Sequence, residues 1–217
     1  LTDYNLDCFN SSANICPDDT YGGIVNLGFD FEFYGNIYNQ VVISSNNYLT
    51  FNTATANTGS NYLITNPIPN AINGPMNSIL CPWQDINPGA DGSGDGIPDG
   101  TIQYGTIGQA PNRVFIVSFC GIPMYQCEQI CYSSQIKLFE STNIIETHIA
   151  QKVLCVDWNE GAAIHGLHNI TGTIAHVVTG LDGIVRNSPN QWQCEDDSWK
   201  FTPNGSNDYI IENIEFS

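Results

Sequence analysis

The run Asp91-Gly92-Ser93-Gly94-Asp95-Gly96-Ile97-Pro98-Asp99 carries the residue pattern most able to do chemistry in this chain. Side-chain oxygens recur at alternate positions, and Gly96 stands where an oxygen-ligand loop turns sharply. Asp91, Ser93 and Asp95 fill the first, third and fifth positions of such a loop, the Ile97 carbonyl the seventh and Asp99 the ninth. A hard cation takes about six to eight oxygens at short range, and clustered carboxylates repel one another without one. The spacing therefore predicts Ca2+, in a structural rather than a catalytic role. Ile102 stands where a bidentate Glu would close an EF-hand, so the run matches the shorter loops of extracellular repeats better. A ligand from elsewhere, Asp85 or Asn87, has to complete the shell. The competing reading is a solvated acidic loop without metal.

Other residue types that do chemistry are present without a supporting pattern. His165 and His168 are three apart, but AAIHGLHN reads as a strand, where such positions face opposite sides and cannot chelate one ion. Together with His148 and His176 they are expected as core or surface histidines. There is no nucleophile elbow, zincin motif or phosphate-cradling glycine loop. A carboxylate pair for glycoside hydrolysis is unremarkable among 22 acidic residues, so no enzymatic activity is expected. Trp83, Trp158, Trp192 and Trp199 could stack on glycans if exposed, although Trp in a sandwich is more often core. Asn10, Asn169 and Asn204 begin glycosylation sequons.

The elements that must position these residues are strands. Leu27, Phe29, Phe31 and Phe33 alternate with Gly28, Asp30 and Glu32, which predicts a strand with one dry face. Tyr34-Gly35-Asn36 and Asn46-Asn47 supply turn chemistry, so Leu27–Phe51 reads as a three-stranded meander. Ser78–Trp83 is a short buried strand feeding the acidic loop, and Thr101–Tyr104 resumes the pattern after it. Arg113–Phe119 is apolar on both faces and is expected at the centre of a sheet. Gln135–Phe139 with Asn143–Ile149, and Ala162–Ile170 with Thr173–Val178, read as hairpins. Trp199–Phe201 reads as a last strand. Ten or more short antiparallel strands without an amphipathic helix predict an all-β, jelly-roll-like β-sandwich. The expected organisation is a disulfide-pinned arm over residues 1–20, the sandwich over 21–203, and over 204–217 a linker opening a following module.

Composition narrows the partners. Five Lys plus Arg stand against 22 Asp plus Glu, a net charge of −17 in 217 residues. That excludes the counterion-release chemistry of nucleic-acid binding and attraction to anionic membranes. No apolar window is long enough to insert in a membrane. Eight cysteines without a C-x-x-C pair predict disulfides and an oxidising compartment. All eight are expected to pair, with Cys8–Cys16 and Cys127–Cys131 as plausible short loops. The chain begins at Leu1 rather than Met, which fits removal of an export signal or trimming of the sequence.

Several stretches taken in order resemble a family: GFDFEFYGNIYNQVVISSNNYLTF, ILCPWQDINP, TIQYGTIGQAPNRVFIVSF, SSQIKLFESTNIIETHI, WNEGAAIHGLHNITGT and WKFTPNG. The series is similar to the β-sandwich module of large secreted surface proteins of Bacteroidetes. Such modules are often followed by polycystic-kidney-disease-type (PKD) repeats and a gliding-motility-associated C-terminal sorting domain. A looser similarity is to the nidogen-like extracellular domain. The resemblance implies export through the type IX route, display on the cell surface or release, and adhesion, with no catalytic residues. Two departures are Asn112, where members often carry Cys after Ala-Pro, and the insertion Gly89–Asp99, which makes calcium particular to this chain. The expected partners are other domains of the same surface protein or neighbouring subunits, with glycans as the lectin-like alternative and a fibre-forming subunit as the third.

Overall fold

Alternation over Leu27–Phe33 dictates a strand with one dry face, and the chain forms it as β1 (Tyr21–Phe33). Leu27, Phe31 and Phe33 are fully buried and Phe29 nearly so, while Asp30 and Glu32 are exposed. This computed structural model describes residues 18–97 and 99–215. Tyr34 and Gly35, both at positive φ, turn β1 into β2 (Asn36–Ser44), and a turn carrying Asn47 at φ 64° leads to β3 (Tyr48–Thr50). β4 (Ser78–Trp83), β9 (Ile164–His168) and β10 (Ala175–Val177) complete a six-stranded sheet in the order β1-β2-β3-β4-β9-β10. The facing sheet runs β12-β11-β8-β7-β6-β5. Its strands are β5 (Thr101–Ile107), β6 (Val114–Met124), β7 (Cys127–Phe139), β8 (Ile145–Lys152), β11 (Cys194–Pro203) and β12 (Tyr209–Asn213). Every pairing is antiparallel, and the chain changes sheets after β4, after β8 and after β10.

The dry faces meet in one core. The β1 stripe packs in a single cluster with Phe115, Val117 and Phe119 of β6, Ile136 and Leu138 of β7, Ile145 and Ile149 of β8, and Phe201 of β11. Phe51 stacks on Phe31 at 5.9 Å between centroids and tilts against Phe33 at 4.8 Å. The outer edge of β1 is closed by side chains: Thr106 Oγ1 donates to the Leu27 carbonyl (2.7 Å), Arg113 Nη1 to the Gly28 carbonyl (2.5 Å), and Asn143 Oδ1 accepts from Glu32 N–H (2.9 Å). Arg113 is itself fixed by a forked pair to Glu140 (2.8 and 2.5 Å). An edge occupied in this way offers few free backbone groups to another chain.

Three expectations are corrected. β6, expected at the centre, lies one strand in from the edge, and its outward face carries the exposed Cys120. Residues 209–213, expected to open a following module, pair with β11 as the outer strand of the sandwich. The cysteines are not all paired. Cys127 bonds Cys155, with Cα atoms 6.2 Å apart, whereas Cys81, Cys120, Cys131 and Cys194 are free. Cys127 and Cys131 both lie on β7. Their β6 partners are the adjacent residues Pro123 and Met124, so the segment between them is bulged, and Cys127 is committed to Cys155. Closing a chain separation of 28 residues should contribute about 3.6 kcal/mol. Cys8 and Cys16, and the arm that carries them, lie outside the described residues.

A second tie is cationic. Lys152 Nζ on β8 is buried, donates to the Trp192 carbonyl (2.7 Å) and lies 4.5 Å from the centre of the Trp192 ring. The Arg186 guanidinium lies at the same distance from that ring. Burial pushes the Lys152 ammonium down to about 7, helped by Arg186 and opposed by the Cys194 sulfur. An unfolded lysine titrates near 10.4, so between about pH 7 and 10 the unfolded chain holds a proton that the folded chain has released. Stability from this group therefore rises with pH across that window. Denaturant titrations should show wild type gaining on Lys152→Met between pH 7 and 9, and a constant difference would contradict the burial described. Phe31→Ala should cost about 3–5 kcal/mol by loss of packing and a residual cavity. Asp30→Ala, on the wet face, should cost well under about 1 kcal/mol. Equal midpoints for the two variants would overturn the register of β1.

Candidate metal centre

After β4 the chain passes through Asp85 and Asn87 into the acidic loop and re-enters the sandwich at β5. The Asp99 N–H donates to the Ala90 carbonyl (3.1 Å) and closes the loop at its base. Inside, the Asp91 carboxylate collects donors: Gly94 N–H (2.6 Å) and Asp95 N–H (3.1 Å) on Oδ1, Gly96 N–H (2.6 Å) on Oδ2, and the Ser93 hydroxyl (3.1 Å). The turn this requires carries Gly94 and Gly96 at φ +79° and +87°, where a side chain would be strained. Ser93 N–H donates to Asp99 Oδ2 (2.8 Å) and Ile97 N–H to Asp95 Oδ1 (2.9 Å), while the Ile97 side chain points into solvent. The Gly96 N–H, with the other donors, holds the Asp91 carboxyl below the usual carboxylate range. Asp91, Asp95 and Asp99 thereby bring one carboxylate oxygen each within 4.8 Å of one another.

The loop is seated on the body. A Cβ at Gly92 would lie 2.0 Å from the Glu128 carbonyl oxygen, and one at Gly100 would meet Ile122 and Pro88. Glu128 follows Cys127, so the disulfide to Cys155 anchors the strand on which the loop rests. Asp91, Asp95 and Asp99, with the Ser93 hydroxyl, offer oxygen alone, which suits a hard cation and not a nitrogen- or sulfur-seeking one.

Neither side chain expected to complete the shell joins it. Asn87 Oδ1 is engaged by Gly89 N–H (2.9 Å) in a local turn. Asp85 gathers instead with Asp18 and Asp19, in a second group whose oxygens also lie within 4.8 Å of one another. Asn46, in the turn between β2 and β3, organises that group. Its Nδ2 donates to Asp19 Oδ1 (2.9 Å) and reaches the Asn61 carbonyl (3.2 Å), while its Oδ1 accepts Ile86 N–H (3.2 Å). Burial, with the charges of Asp19 and Asp18, pushes Asp85 up to about 7. Burial and the Asp19 charge push Asp18 up to about 6. Sequence gave no spacing signal for this group, because it forms only where the entry to β1 meets the exit of β4.

The remaining candidates are structural. His165 and His168 sit buried on β9. Thr147 Oγ1 lies 2.8 Å from His165 Nε2, and His168 is held by the Pro75 carbonyl (2.9 Å) and Asn70 N–H (3.2 Å). His148 pairs with Ser198 Oγ (2.9 Å), and His176 spans Tyr34 Oη (2.7 Å) and Asp208 (3.0 Å). Trp83, Trp192 and Trp199 are buried, which removes them from glycan stacking, and Trp158 stands edge-on to Tyr125 at 4.9 Å. Asn169 is buried with its amide engaged by Thr171, whereas Asn204 is exposed; Asn10 lies outside the described residues. A groove of about 380 Å³, lined by Asn61, Tyr62, Leu63, Thr65 and Asn73, carries the half-exposed Tyr62 ring.

No helix among the described residues is long and apolar enough to cross a membrane. No curated protein and no solved structure matches the chain. The NIDO-related family matches residues 6–190, which take in the acidic loop, the second aspartate group, the disulfide and most of both sheets. By that match the chain belongs to the NIDO-related family, a nidogen-like domain of extracellular type.

Proposed function

We propose that this chain is a non-enzymatic binding and structural module of a large bacterial cell-surface or secreted adhesin-type assembly. The observation that carries the reading is the NIDO-related match over residues 6–190, on a sandwich whose hairpin is clamped by Cys127–Cys155. The histidines add support, since each is held by neighbours in a structural role. The ordered residue series from GFDFEFYGNIYNQ to WKFTPNG supports the finer placement: export by the type IX route, beside PKD-type repeats of a gliding-motility-associated surface protein. Antibody raised against this domain should label the surface of intact source cells or the medium, and antigen confined to the cytoplasm would overturn the placement.

Calcium in the Asp91 loop belongs to the same reading, as a means of stiffening a rim that a partner meets. Asp91, Ser93, Asp95, the Ile97 carbonyl and Asp99 are the proposed ligands, with water completing the shell. A ligand that binds only the folded state stabilises it by about 2.7 kcal/mol at a hundredfold excess over Kd. In a chain of this size that corresponds to roughly 5–10 °C in Tm. Chelator should lower Tm by that order, and Asp95→Ala should lower it in calcium and shrink the chelator effect. A wild-type melting curve indifferent to chelator would leave the loop a solvated ornament.

The Tyr62 groove favours a lectin-like alternative, because an exposed ring beside the amides of Asn61 and Asn73 offers a sugar both a stacking face and polar partners. A glycan array probed with the wild-type domain and with Tyr62→Ala separates the two. Hits lost in the variant favour the lectin, and an array without hits favours protein partners.

A further inference from the structure

We propose that Asp18, Asp19 and Asp85 hold a buried calcium ion between the entry to β1 and the exit of β4, separate from the Asp91 loop. Asp18 and Asp19 precede β1 and Asp85 follows β4, with one oxygen of each within 4.8 Å of the others. Asp85 is the telling member. It is 2% exposed, and although the Trp158 indole lies near its carboxyl, neither that N–H nor Asp85 Oδ1 makes a hydrogen bond of normal geometry. A buried carboxylate oxygen without a donor is costly unless a cation faces it. Gln84, the residue before it, is fully buried and both polar atoms of its amide lack a partner as well.

Among the described residues no basic side chain is paired with the group. Its five basic side chains are Arg113, Lys137, Lys152, Arg186 and Lys200. Arg113 is forked onto Glu140, Arg186 pairs with Asp182, Lys200 with Glu212, and Lys152 is held at Trp192. Lys137 stands on β7 opposite Ile116 of β6 and Glu146 of β8, in the other sheet. Three carboxylates gathered without a basic partner, one of them buried, match the demand of a hard divalent ion.

The internal hydrogen bonds leave room for it. Asp18 Oδ1 takes the Asp19 N–H (3.0 Å) and Asp19 Oδ1 takes the Asn46 amide (2.9 Å). The second oxygen of each, and the unpartnered Oδ1 of Asp85, remain to ligate. Asn46 acts as a positioning residue. One edge of its amide orients Asp19, and the other holds the backbone beside Asp85 through Ile86 N–H. Thr20 and Ser45 exchange bonds next to the group, fixing the entry of β1 on the turn that carries Asn46.

Equilibrium dialysis of the whole chain against radioactive calcium tests this apart from the loop. With Asp91→Asn and Asp95→Asn combined to disable the loop, one calcium per chain should still bind. Adding Asp85→Asn, or separately Asp19→Asn, should weaken that binding by at least about tenfold, with circular dichroism checking that the strands persist. If one variant fails to fold, the other decides. A loop-disabled chain that binds no calcium, or two folded variants that bind as tightly as their parent, would overturn the proposal. Loss of an ion between wild type and the loop-disabled chain reports on the loop alone, so the two sites fail independently.

Discussion

Burial of the β1 aromatic stripe against the facing sheet is the constraint on which the rest of the molecule depends. Leu27, Phe29, Phe31 and Phe33 each gain about 1.5–3 kcal/mol on leaving water, and they gain it only if a second apolar sheet closes over them. That requirement sets the pairing of β5 to β8, places Phe115, Val117 and Phe119 opposite the stripe, and fixes which face of every strand is polar. It also makes β1 an edge strand, and the Arg113–Glu140 fork, Thr106 and Asn143 close that edge. With the core and the edges committed to packing, the acidic groups fall to the β4–β5 connection and the entry to β1.

Charge is distributed to match. Lys152 and Arg186 are spent inside, on the ring of Trp192, and two of the remaining cations close ion pairs with glutamates. Six aspartates gather in two groups, the Asp91 loop and the cluster of Asp18, Asp19 and Asp85, where no basic side chain among the described residues pairs with them. A rigid body with acidic, oxygen-rich rims suits a module whose surface is set by cations and presented to partners.

Period-2 alternation and turn residues made the meander of β1 to β3 legible, along with the β7–β8 and β9–β10 hairpins, because these depend on neighbours in sequence. The Asp91 loop was legible for the same reason: its side-chain oxygens, its Gly94 and Gly96 turns and its hydrogen bonds all lie within nine consecutive residues. What failed depended on distant contacts. Cys127 finds Cys155 beyond the end of β8, and Asp85 finds Asp18 because the entry of β1 lies on the Asn46 turn. Tyr209–Asn213 resembles the start of another module in sequence because the polar run before it looks like a linker, whereas it turns back to pair with β11. β6 is apolar on both faces without being central, since Ile116 on its outer face is buried although the strand lies beside the edge.

The central claim is that a self-sufficient sandwich carries rims whose order depends on cations. Amide hydrogen exchange of the native chain, followed residue by residue with calcium and with chelator, tests it most directly. The account predicts that removing calcium speeds exchange at Ser93–Ile97 and around Asp19, Asn46 and Ile86, while the amides of β1 and β6 to β8 keep their protection. Equal exchange in the two conditions at both rims, or loss of protection that spreads evenly through the strands, would contradict it.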